Sequence, residues 1–353
     1  MDSRASDIKL LQDLISIRSY SGEENEVAEF LAAEMARRGF STRRDAAGNA
    51  IGVLGDPNAS ERIVLLGHMD TVPGWIPVLQ DGDRLYGRGA VDAKGPLAVF
   101  VLAAARVAAR LSDTCLIVIG AAGEEATSPG AHHLALTMPA PACSIIGEPS
   151  GWSSITLGYK GVLAINYRLT QASGHSANGE ATPAEEAIDF WNRVVEATNN
   201  ANQGESWRFT TIDPSLREIH SGGDGLEDWV EMRIRLRLPP GLDISSLQGE
   251  IASWAGAAEV RFPYSDPAVQ SEKNTPLVRA FLRGIRAAGG RPTFKLKTGS
   301  SDMNVVGPTW SCPIVAYGPG NSSLDHTPEE HIEIPEFLRS IDVLVHALEQ
   351  LLH

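Results

Sequence analysis

Ile63-Val64-Leu65-Leu66-Gly67-His68-Met69-Asp70 is a short apolar run that stops at a glycine and then releases a histidine and an aspartate. A run of this length without polar alternation reads as a strand buried on both faces, the kind found inside a largely parallel sheet. The same order recurs along the chain. Cys115–Ile119 runs into Gly123-Glu124-Glu125, Ser144–Ile146 into Gly147-Glu148-Pro149, and Pro313–Tyr317 leads through a glycine-rich loop to Asp325-His326. Leu85-Tyr86-Gly87-Arg88-Gly89 leads likewise to Asp92. Open α/β sheets bind ligands at the carboxyl ends of their strands. Five segments are therefore expected to bring His, Asp and Glu to one edge.

Helical patterns separate these runs. Ser21 stands three residues before Glu24, a capping-box spacing, and Val27, Phe30, Leu31 and Met35 follow at helical intervals until Gly39. Pro96–Arg110 reads as a crossover helix, and Thr275–Ala288 and Pro335–Leu352 as two more. The expected fold class is α/β: a mostly parallel twisted sheet with helices on both faces. The middle of the chain differs. Val162–Leu169 and Val230–Leu238 alternate apolar and polar residues, as strands with one wet face do, and Pro183–Thr198 between them reads as a helix. This predicts an α+β domain over residues 158–267, inserted into a catalytic domain formed by 1–157 and 268–353.

The chain has 353 residues, with 30 Lys and Arg against 44 Asp and Glu, a formal charge of −14. That balance argues against a general nucleic-acid binder. A chain of this size folds without a structural metal or disulfide, and Cys115, Cys143 and Cys312 read as buried structural thiols of a reducing compartment. The opening residues lack a signal-peptide pattern, and Pro96–Ala109 is too short to cross a bilayer. A cytoplasmic protein with no membrane partner is expected.

Taken singly, each motif is ordinary: a turn, a solvated loop, a helix cap. Together they place two histidines and at least four carboxylates on one edge, where crowded like charges need cations. The all-N/O donor set suits zinc, cobalt or manganese, and no glycine-rich loop ends as a phosphate-binding loop does.

Gly67-His68-Met69-Asp70-Thr71-Val72-Pro73, Gly87-Arg88-Gly89-Ala90-Val91-Asp92-Ala93-Lys94-Gly95, Gly123-Glu124-Glu125 and Gly147-Glu148-Pro149 resemble the dinuclear-zinc aminoacylase/carboxypeptidase family of metallopeptidases and deacylases. The resemblance implies two Zn²⁺ ions, with Co²⁺ able to substitute. His68 and Glu148 would hold one, Glu125 and His326 the other, and Asp92 would bridge them. It makes Glu124 the general base and Asp70 the residue that orients His68. It also makes the inserted domain a lid and homodimerisation domain. There His175, in Gly174-His175-Ser176-Ala177, would reach the partner subunit's site and stabilise an oxyanion. Arg237 matches a position that binds a substrate carboxylate, and Gly299, Ser300 and Ser301 a loop that helps hold substrate. His132, His133, His220 and His331 fall outside the pattern.

Three further segments, Gly147–Trp152, Ile155–Gly161 and Lys297–Asn304, resemble the branch of that family that releases lysine or ornithine from the amino-group carrier protein LysW. The carrier is acidic, so docking on an acidic enzyme needs a local basic surface. Arg233, Arg235 and Arg237 alternate along one predicted strand and share a face, as Lys295 and Lys297 do. Arg233, Arg235, Lys295 and Lys297 are the candidate docking residues. The competing readings are a small-molecule N-acyl-amino-acid deacylase and a non-catalytic binding relative.

Overall fold

Ile63 through His68 are buried in a strand, Glu61–His68, that extends the apolar run by two residues at each end. The computed structural model describes residues 3–174 and 179–352. They form two compact units: Met1–Gly158 with Gln270–Leu296 and Ser301–His353, and Tyr159–Val269 with Lys297–Ser300.

In the larger unit Glu61–His68 lies between Thr114–Ala121 and Cys143–Gly147, parallel to both, and Ile314–Ala316 extends the parallel set. The rest of the nine-stranded sheet is less parallel than expected. Ser41–Arg44 and Ala50–Leu54 form a hairpin whose second strand runs antiparallel to Thr114–Ala121. A connection that short can only reverse the chain. The segment before Asp92 also departs from expectation: Arg84–Tyr86 pairs with Leu79–Asp81 and His331–Glu333 in a separate three-stranded sheet. Asp92 therefore arrives from beside the main sheet, not from one of its strands.

The crossover helix runs Lys94–Val107, and all of it but Ala105 and Arg106 is buried. A helix that is apolar all round belongs to a core. It approaches closely because Gly67 and Gly147 are register partners, and a Cβ at these positions would meet Leu97 at 3.4 Å and Phe100 at 3.0 Å. Phe100 is fully buried. Phe100→Ala should cost about 3–5 kcal/mol, read as a lowered urea midpoint of the full chain.

The capping box expected at Ser21 does not form. The helix runs Asn25–Arg37 without a side-chain cap; Glu24 instead accepts from the Gly22 N–H. The Ser21 hydroxyl donates to Asp70 Oδ2 at 2.7 Å, a partner brought by a distant strand.

The smaller unit is an antiparallel sheet, Asp213–Gly223, Glu227–Leu238, Gly161–Ala172 and Glu259–Arg261 in that order, with Ser265–Asp266 also on Gly161–Ala172. Its core joins Leu163, Ile165, Tyr167, Met232, Ile234 and Leu236 to Phe190 and Val194 of the helix Pro183–Ala201. That helix starts with a complete capping box between Thr182 and Glu185. Among the described residues, no helix is long and apolar enough to cross a membrane. Cys115 and Cys143 are buried free thiols, whereas Cys312, in the loop before Ile314–Ala316, is half-buried.

Candidate metal centre

The ends of the parallel strands and the Asp92 loop converge in the larger unit. His68 closes its strand and is 1% exposed. Its Nδ1–H donates to the Asp70 backbone carbonyl at 3.0 Å, and Asp70 Oδ1 lies 3.4 Å away. The backbone, more than the carboxylate, thus fixes the ring and leaves Nε2 facing the cluster. Nε2 lies 3.2 Å from Asp92 Oδ1 and 4.0 Å from both Glu124 Oε2 and Glu148 Oε1. Asp92 Oδ2 faces the other way, 3.2 Å from His326 Nε2, which is also 2.9 Å from Glu125 Oε1. His326 holds this position with a φ of 62°, in the left-handed region that a non-glycine residue adopts at a cost.

Among the described residues three groups result, each with its donor atoms within 4.8 Å of one another: His68, Asp92 and Glu148; Asp92, Glu125 and His326; and His68, Glu124 and Glu125. The first two share Asp92, one oxygen to each. This donor set fits a pair of borderline divalent cations.

Asp70 does more than orient a ring. Its Oδ1 accepts the Glu124 N–H at 3.1 Å, and its Oδ2 accepts the Glu125 N–H at 3.0 Å and the Ser21 hydroxyl. Buried among these donors, its carboxyl is held below the usual range by His68 and Ser21 despite the cost of burial. Ser21 was missed because its spacing to Glu24 matches a cap; its real partner lies 49 positions away.

Burial opposes a charge on His68, but bonds to Asp70 and Asp92 outweigh it and hold the imidazole well above its ordinary range. His326 is raised to about 10 by its bonds to Asp92 and Glu125. Burial pushes Glu124 up strongly, and Glu148, Asp302 and Glu125 add repulsion. Burial raises Glu125 too, against its bond to His326. Asp92 goes the other way: burial would raise it, but bonds to both histidines hold it far below the carboxylate range.

Imidazole must lose its proton to ligate a metal, so uptake should release protons. Bonds to Asp92 and Glu125 raise His326 to about 10, so apparent metal affinity should rise with pH from neutrality towards that value. Calorimetric titrations in buffers of different ionisation enthalpy check this; uptake with no proton release would contradict it.

His175 lies outside the described residues. In the smaller unit Arg237 donates to the Ser300 hydroxyl at 2.8 Å, and Gly299 is open around its Cα. Ser301, in the larger unit, is buried, and its hydroxyl accepts from the Met303 N–H as the cap of the helix Asp302–Trp310. Arg233, Arg235 and Arg237 do share the wet face of their strand. Arg233 lies 3.3 Å from Glu218, and Arg235 donates to the Tyr264 hydroxyl at 3.0 Å. Lys295 and Lys297 are in the strand Thr293–Lys297, and the Lys297 ammonium lies 5.9 Å from the Tyr159 ring centre. His220 pairs with Glu218, His133 lies near Asp45, and the His331 ring packs on Tyr86. Neither they nor His132 join a described donor cluster.

A parallel-centred α/β sheet that gathers two carboxylate-linked histidine sites at its strand ends is a metallohydrolase scaffold. The chain belongs to the Peptidase family M20/M25/M40, whose profile matches residues 64–350. It is 43% identical over 352 residues to the LysW-lysine hydrolase of Deinococcus radiodurans, covering 97% of this chain and 96% of that protein. It is 30% identical over 356 residues to the LysW-lysine/LysW-ornithine hydrolase of Sulfurisphaera tokodaii, covering 99% and 96%. Among solved structures, the M20 family metallo-carboxypeptidase Sso-CP2 from Sulfolobus solfataricus shares the fold, with a TM-score of 0.80 at 16% identity over 97% of this chain and 98% of that one.

Proposed function

We propose that this chain hydrolyses the amide that joins lysine, or ornithine, to the γ-carboxyl of the C-terminal glutamate of LysW. The near-full-length likeness to carrier hydrolases supports the substrate. The chemistry rests on Asp92, whose two oxygens face His68 and His326.

His68, Asp92 and Glu148 would hold one zinc ion, and Asp92, Glu125 and His326 the second, with cobalt able to replace either. Such a pair supplies a Lewis acid for the scissile carbonyl and makes water a usable nucleophile at neutral pH. Glu124 takes the water's proton and passes it to the departing α-amino group of lysine. Asp70 fixes the Glu124 backbone by accepting its N–H. His175 of a partner subunit stabilises the oxyanion. Arg237, with Gly299, Ser300 and Ser301, binds the substrate's polar ends.

The smaller unit serves as lid and dimerisation surface of a cytoplasmic homodimer. Its edge strand Asp213–Gly223 is largely exposed, with Leu216 and Ile219 on it, the kind of edge a lone sheet covers or blunts. Arg233, Arg235, Lys295 and Lys297 receive the acidic carrier.

The deciding experiment supplies zinc- or cobalt-loaded protein with carrier-linked lysine and, separately, with acetyl-lysine and acetylornithine. Release from the carrier alone, or far faster, is expected. Faster release from the small substrates would make the chain a small-molecule deacylase, and none from either would make it a binding relative. Arg233→Glu with Arg235→Glu should slow carrier hydrolysis and spare the small substrate; equal effects would remove the docking role.

A further inference from the structure

Glu330 is fully buried beside the centre without belonging to any of its donor clusters. Its Oε1 accepts the Val91 N–H at 3.0 Å and the Asp92 N–H at 3.2 Å. Its Oε2 accepts from Arg88 Nη1 at 2.7 Å, and Arg88 Nε donates to the Gly74 carbonyl at 2.9 Å. The Glu330 carbonyl accepts the Gly87 N–H, and the following strand, His331–Glu333, pairs with Arg84–Tyr86. The chain that carries Asp92 is thus fastened along its length to the chain that carries His326.

The fastening matters because Asp92 comes from outside the main sheet. The strand ladder places His68, but no ladder places Asp92. The helix beginning at Lys94 has Ala93 at its N-cap and no side-chain cap. Without Glu330 the buried Val91 N–H and the part-buried Asp92 N–H would lose their acceptor, a loss of about 1–3 kcal/mol for a buried donor, so the loop would move to satisfy them. Asp70 acts alike, accepting the N–H groups of Glu124 and Glu125. Each of the two loops is held by a buried carboxylate that reads its backbone.

We propose that Glu330, with Arg88 as its counter-charge, is a positioning residue that fixes the Asp92 loop so that one Asp92 oxygen meets His68 and the other His326. It thereby sets the affinity of the Asp92–Glu125–His326 cluster. The proposal rests on the metal-centre reading above.

The test titrates metal-free full-length protein with Co²⁺, followed by visible absorption, and repeats the titration with Zn²⁺ against a competing chelator. Glu330→Asp keeps the charge for Arg88 but withdraws the carboxylate from the two N–H groups. It should weaken the second equivalent by about 10–100-fold and change its absorption band. Glu330→Gln combined with Arg88→Met keeps a well-placed oxygen for both N–H groups and removes the ion pair. It should stay within about threefold of wild type in metal affinity. In both, kcat should follow occupancy of the second equivalent, with KM little changed. Wild-type affinity and spectrum in Glu330→Asp, whatever its thermal stability, would overturn the positioning role. Equal weakening in both variants would overturn it too, since an acceptor kept for the two N–H groups would then have made no difference. A wild-type protein that takes up only one equivalent would overturn the metal-centre reading and the clamp with it.

Discussion

Glu124→Gln is expected to lower kcat on carrier-linked lysine by about 10²–10⁴-fold while both metal equivalents remain bound. The glutamine keeps the shape and loses the base. Glu124 is absent from the two donor groups that share Asp92, so its removal leaves those sets whole. Its backbone N–H still has Asp70 as acceptor, so the turn should not move. KM should change little, because the group acts on the proton in flight and not on bound substrate. Single-turnover rates and metal content by mass spectrometry, measured on the same preparation, check both halves. A variant that retains substantial turnover would remove Glu124 as base.

Asp92→Ala should do more than remove one ligand. Both sites use Asp92, so metal content after dialysis should fall from two equivalents to below one, and turnover by on the order of 10³-fold or more. The metal-free protein offers a second readout. The bond to Asp92 is the largest cause of the raised value of His326, about 10. In the variant that imidazole should titrate nearer neutrality, visible by NMR. An unchanged titration, or retention of both metals, would show that Asp92 does not link the two histidines.

The two variants probe different kinds of residue, and the sequence treats them differently. Glu124 follows a buried strand directly, with Gly123 allowing the turn at a φ of 75°. His68 and Glu148 stand likewise at strand ends, so chain-local patterning locates them. Asp92 also carries a local motif, but its arrival from the side of the sheet was not legible. Arg84–Tyr86 looks like any short strand, and only its pairing with His331–Glu333 decides which sheet it joins.

The order of apolar runs and the residues after them determined the α/β class, the alternating strands of the smaller unit, and the chemical types available at the strand ends. These are decided by side-chain period and residue type, which act within a few positions. What only the tertiary structure decided is how the remaining polar groups are spent. Ser21 has the spacing of a helix cap yet bonds Asp70, Ser301 caps a helix beside a predicted substrate loop, and Glu330 looks like a loop acid but is fully buried. Lys297–Ser300 joins the smaller unit from far along the chain. Burial makes an unpaired donor or carboxylate costly, so each such group takes the partner that folding brings within reach, and that partner can lie hundreds of residues away.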